Sequence, residues 1–323
     1  MPTDISSSET TLGARLRSED PGVRRVAVLE FVDAGDETDL PEIIRTLRND
    51  PDTELRVEAA QALAGWDQVT AVEALAAALQ DASPVREAAA ASLSELKDPL
   101  AGATLIPHAR NADAFVVAAS LRALKDLRLP AAADPALAAL LHADASVRRE
   151  AVGVLGWLKS TAALSQLAQL VVHDPDAEVR RVVSGALGLA APQHDIALAA
   201  LKVALQDAQW QVREEAATTL SKFNGSEDTN EALRKALEDD HWQVRLRAAR
   251  SLGRLRDRLA IAQLIEALVH PAGNLRKEAA IALGEIGDAQ AVGALTVSAS
   301  DPDPEVRKAA RLALQRIPGP AAI

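Results

Sequence analysis

The stretch Asp301-Pro302-Asp303-Pro304-Glu305-Val306-Arg307-Lys308-Ala309-Ala310-Arg311-Leu312-Ala313-Leu314 decides the fold. An Asp-Pro-Asp turn opens it, and Val306, Ala310, Ala313 and Leu314 then fall on one face at 100° per residue, which predicts an amphipathic helix. Asp303, four residues before Arg307, is placed to cap the free amides at the start of that helix.

Outward from this stretch, the pair of a branched apolar residue and Arg recurs along the chain. It appears as Val23-Arg24, Leu55-Arg56, Val85-Arg86, Val147-Arg148, Val179-Arg180, Val212-Arg213, Val244-Arg245 and Leu275-Arg276 before Val306-Arg307. The spacings are 32, 30, 62, 32, 33, 32, 31 and 31, and the gap of 62 has Val116-Val117, a copy without its arginine, at its midpoint. Ten repeats therefore fill the chain. Three residues after each reference position stands a small residue, mostly Ala, and seven after it Leu or Phe31. Asp20, Asp52, Asp113, Asp144, Asp176 and Asp303 sit at the expected cap, while Gly156, Gly188, Gly253 and Gly284 lie eight residues after the reference, where the helix is expected to stop. An upstream helix precedes each turn, as in residues 71–79 and 259–268. Two short helices cannot bury their apolar faces alone but can do so against neighbours, so the expected fold is all-α: about ten two-helix repeats of ~31 residues stacked as an α-solenoid. One such array is expected over residues 12–318, with flexible tails at 1–11 and 319–323.

Composition fits a narrow core. The 323 residues include four Trp, three Phe, no Tyr and one Met, so the interior must come from Ala, Leu, Val and Ile. The absence of Cys excludes disulfides, thiolate metal sites and a cysteine nucleophile. No apolar run reaches membrane-spanning length, and the first ten residues lack the basic and apolar regions of a secretory leader, so a cytoplasmic protein is expected. Asn224-Gly225-Ser226 reads as a loop.

The repeat ending in Leu314, together with Asp288-Ala289-Gln290-Ala291-Val292-Gly293-Ala294-Leu295 before it, resembles the short HEAT-like repeat of the phycobilisome-lyase type. The resemblance covers nearly the whole chain. It implies a right-handed solenoid with the first helix of each pair (A) on the convex side and the second (B) on the concave side. It also implies one of two functions, because such proteins mostly bind other proteins while some attach or detach bilin chromophores.

Catalytic patterns are missing: there is no Gly-x-Ser-x-Gly, Gly-x-Gly-x-x-Gly, phosphate loop or His-Glu-x-x-His. No cofactor and no metal site are expected. His142, His173 and His270 stand six or seven residues before a reference position, where they would serve the carbonyl end of helix A. Asp33, Asp36, Glu37 and Asp39 lack the order of a calcium loop and read as a solvated connection. The reference arginines, each with an acidic or polar residue about six positions back, predict an Asp–Arg ladder joining the turns of successive repeats.

Residues that the stacking does not require are better site candidates. Three positions before the reference, most repeats carry a small residue or Pro, but repeats seven and eight carry Trp210 and Trp242, the second preceded by His241. They are expected either to pack together or to form an aromatic platform for a partner. Trp66 and Trp157 read as plugs between repeats. Arg247, Arg250 and Arg254 make an exposed stripe on one helix, with Arg247 expected to pair across repeats with Glu215 or Glu278, which hold the equivalent position in the flanking repeats, and Arg250 and Arg254 expected to remain available to anions or carboxylates. Residues 1–110 hold 10 basic and 20 acidic groups, whereas residues 231–323 hold 14 and 12. That asymmetry can orient a partner, while the net charge of -11 argues against nucleic acid. The expected function is a non-catalytic protein-binding scaffold using Trp210, His241, Trp242, Arg247, Arg250 and Arg254, with self-association left open. The alternative is a bilin lyase-like or other cofactor-handling accessory enzyme acting on a protein substrate.

Overall fold

The computed structural model describes residues 11–189, 195–223 and 226–317. Asn224 and Gly225 of the expected loop, residues 1–10 and 319–323 of the expected tails, and residue 318 at the end of the expected array lie outside them. All regular structure among the described residues is helical. None of these helices is long and apolar enough to cross a membrane. The contacts divide the chain into two compact bodies, Met1–Leu158 and Lys159–Ile323.

The first body contains α1 (Leu12–Arg15) with α2 (Pro21–Ala34), α3 (Leu40–Asn49) with α4 (Thr53–Ala62) and α5 (Val69–Ala78) with α6 (Ser83–Leu93). The short α7 (Pro99–Gly102), extended by 3-10 turns, then pairs with α8 (Ala114–Leu127), and α9 (Ala133–Ala139) pairs with α10 (Ala145–Trp157). The second body repeats the scheme with α11 (Leu164–His173) and α12 (Ala177–Leu187), α13 (Asp195–Ala204) and α14 (Trp210–Leu220), and α15 (Glu227–Ala236) and α16 (Trp242–Arg254). It ends with α17 (Ile261–Ala267) and α18 (Gly273–Ile286), then α19 (Val292–Ser298) and α20 (Pro304–Arg316). These are the ten helical pairs that the arginine spacing predicts.

The repeated positions explain the pairs. The apolar residue before the reference is buried in every repeat from Leu55 to Val306; only Val23, in the first B helix, is exposed. The small residue three positions after it is buried from Ala27 to Ala310, which lets adjacent B helices approach closely. Each buried Leu or Val contributes about 1.5–3 kcal/mol relative to exposure, so each repeat gains its stability mainly from its neighbours. All six predicted aspartate caps accept a backbone amide in the first turn of their helices.

The B helices end within two residues of the glycines expected at their stops, and two of these glycines have a packing role as well. Gly253 and Gly284 lie inside α16 and α18, where an added Cβ would come within 2.7 Å of the Cα atoms of Ala282 and Ala313. They permit close helix packing, although Gly188 does stand at the end of α12. In four repeats the reversal comes eleven residues after the reference, at the left-handed residues Arg128, Lys159, Arg256 and Gly287, which have φ of 52°, 52°, 53° and 73°. Trp66 stacks on Phe31 with centroids 5.1 Å apart and plugs the space between the first two repeats. Trp157 does not act as a plug: it is 43% exposed, with Arg128 over its ring at 4.7 Å.

Candidate functional site

The frame of the candidate site is the ladder along the turns between A and B helices. Arg24, Arg56, Arg180, Arg213 and Arg276 each make two hydrogen bonds to the carboxylate of the next turn, Asp50, Asp81, Asp207, Asp239 and Asp301 respectively, at 2.6–3.0 Å. Arg86 makes a single such bond to Asp113 at 2.9 Å. Each doubly bonded arginine also donates backward, to a carbonyl of its own turn; Arg56, for example, donates to Asp50 O at 2.8 Å. The forked donor geometry makes these the stronger kind of charged hydrogen bond. Bonding to the arginines holds Asp81 and Asp301 below the usual carboxylate range. For Asp207 and Asp239 burial opposes ionisation, and the arginine bonds outweigh it.

The acceptor position of the turn has a second task, which is to take the amide two residues on. Asp50, Asn111, Asp174, Asp207, Asp239 and Asp301 accept it through oxygen, and His142 and His270 through Nδ1 at 3.0 Å. These two histidines are therefore acceptors in the turn and do not donate to helix carbonyls, because a neutral imidazole lone pair can replace a carboxylate oxygen there. His173 ends α11 as expected. In the acidic connection Asp36 accepts from the Thr38 amide and hydroxyl.

Trp210 and Trp242 are the first residues of α14 and α16, and both are half-buried. Trp210 stacks on His241, with centroids 5.5 Å apart and ring planes 12° apart. Among the described residues no ring contact joins the two tryptophans. The histidine reaches Trp210 because its position in the turn before α16 carries it back over the preceding repeat. His241 also lies 3.4 Å from Arg213 Nη2, and its side chain is 45% exposed. The pair thus offers an exposed ring edge fixed by the ladder. The N-caps Gln209 and His241 make no side-chain capping bond, so the aspartate cap has been replaced where the aromatic residues occur.

The arginine stripe does not join this cluster. Arg247 pairs with Glu214 at 2.9 Å, which agrees with the expected cross-repeat pairing but uses a residue one position from the aligned Glu215. Arg250 is not available: it binds both oxygens of buried Glu278, at 2.9 and 2.6 Å, because a carboxylate in the α16–α18 interface requires a counter-ion. Arg254 is exposed and reaches Ser221 Oγ only at 3.4 Å. It lines a cavity of about 660 Å³ with Arg256, Glu285 and Arg316. Twelve residues separate it from Trp242, about 18 Å along α16. The six candidates thus divide into an aromatic cluster at the turn edge, two occupied ion pairs and one open arginine at the opposite helix end.

The sequence profile of HEAT repeats matches residues 40–125, 103–188, 165–241, 197–273 and 261–323. No curated protein matches the sequence significantly. Among solved structures, an engineered protein is 23% identical over 95% of this chain and 98% of its own, with a TM-score of 0.52. YibA from Escherichia coli is 20% identical over 93% and 98%, with a TM-score of 0.54. Kap95p, whose binding induces the switch loops of RanGDP to adopt the GTP-bound conformation, is 15% identical over 95% of this chain and 48% of its own, with a TM-score of 0.59. At these identities the likeness concerns the fold alone.

Proposed function

The chain belongs to the HEAT-repeat family, and from that premise we propose that it is a non-catalytic scaffold that holds a polypeptide partner along repeats seven and eight. The Trp210–His241 stack with Trp242 one repeat further on carries this reading. Large aromatic side chains replace the small residues or Pro of the other repeats and leave ring surface at an edge that stacking does not need to cover. Aromatic residues held rigidly in this way are the usual anchors of protein interfaces. Arg254 supplies a separate charged contact on the same repeat. Kap95p, similar in fold, also binds a protein.

The test is affinity capture followed by quantitative mass spectrometry, with the double variant W210A/W242A beside the parent chain. A polypeptide retained by the parent and lost from a variant with unchanged helical circular dichroism supports the reading. Equal capture by both chains refutes it.

A further inference from the structure

The ladder changes chemistry between repeats eight and nine. The position that supplies the acceptor to Arg245, 25 residues downstream, is His270, where the neighbouring rungs have Asp239 and Asp301. Among the described residues Arg245 meets no carboxylate; its Nε donates to the Asp239 carbonyl. His270 Nδ1 accepts the Ala272 amide, which places the proton of the neutral ring on Nε2. Guanidinium and imidazole are then both donors. Burial, followed by the positive charges of Arg245 and Arg276, holds the imidazole below its ordinary pKa. Arg276 is already bound to Asp301. Arg245 is thus a half-buried cation whose charge is felt by a second donor, and an oxyanion is the group that can accept from both.

The surroundings favour a particular oxyanion. His270 forms one wall of a groove of about 600 Å³ whose apolar lining includes Ile265, Leu268, Val269 and Val297. Val269 and Val297 are 83% and 75% exposed. Residues 231–323 carry a small basic excess in an otherwise acidic chain. We propose that Arg245 and His270 bind a carboxylate side chain of a partner polypeptide, whose neighbouring aliphatic residue enters this groove. The site uses neither tryptophan and goes beyond the scaffold reading: loss of capture in W210A/W242A and loss of carboxylate binding here can occur separately.

The experiment is NMR titration of the histidine ring signals of the full chain, assigned with a His270→Asp variant. The probes are an acetylated peptide of alternating Glu and Leu, its Gln-Leu counterpart, sodium acetate and inorganic phosphate, all at matched ionic strength. The Glu-Leu peptide is expected to shift the His270 signals and raise the midpoint of its titration, with the Gln-Leu peptide at least about tenfold weaker. His270→Asp, which gives Arg245 a carboxylate within the chain and rebuilds the rung of its neighbours, is expected to keep the fold and weaken the Glu-Leu peptide at least about tenfold. Unmoved His270 signals, or a peptide affinity in His270→Asp or Arg245→Gln equal to that of the parent chain, would overturn the site. Acetate or phosphate binding as tightly as the peptide would overturn the polypeptide partner and leave a small free oxyanion as the ligand.

Discussion

The joints after repeats four and eight both have a histidine where most turns have aspartate, His142 and His270, and both rings accept the amide two residues on. They differ on the opposite side. At the first joint the ladder arginine is replaced by buried Val117, so cation and anion are lost together; at the second, Arg245 remains. Removing both members of a charged pair leaves an apolar contact at little cost, whereas removing one leaves an uncompensated charge. The first joint is a complete replacement, and the second keeps a half-buried cation without the carboxylate of its rung.

The intact ladder sets the scale for this contrast. Asp50→Ala leaves Arg24 without its carboxylate in a buried pair and is expected to cost about 3 kcal/mol, read as a lower unfolding midpoint in urea. At the first joint, Val117→Arg recreates half a rung and should cost about 2 kcal/mol, with most of it recovered in Val117→Arg/His142→Asp. A double variant no more stable than the single one would show that the joint is apolar for other reasons. At the second joint, His270→Asp alone should stabilise by about 1 kcal/mol, giving a higher melting temperature.

The smallest effect is in pH dependence. His270 has a lowered pKa in the folded chain, so the unfolded chain binds its proton first, and stability should fall as pH drops from about 6.5 through that lowered value, then level off. His270→Asn should flatten this part of the curve. The ladder carboxylates have lowered values, so their contribution is present above about pH 4 and disappears as acid protonates the folded pairs.

Much of this organisation was legible because it is written ten times. The caps at Asp20 to Asp303, the buried positions and the ladder all follow from one spacing, since each repeat sees nearly the same neighbours. Contacts between helices were harder to read. Arg250 finds Glu278, and Arg247 finds Glu214 in preference to the aligned Glu215, because pairing depends on the rotation of adjacent helices, which spacing within one helix does not specify. His142 and His270 depart from expectation for a related reason: their residue type allows donation or acceptance, and only the turn geometry selects the acceptor. The tryptophans were legible as departures, but the stacking of His241 on Trp210 was not, because that ring crosses from one repeat to the preceding one.

At Gly253 and Gly284 the backbone of the following helix comes within 2.7 Å of where a methyl group would stand. Alanine at either position would act as a wedge, moving α18 away from α16 or α20 away from α18. A molecule lying across these three helices is therefore measured against a pitch fixed by two absent side chains, and widening that pitch would change which ligands fit without altering a single residue they touch.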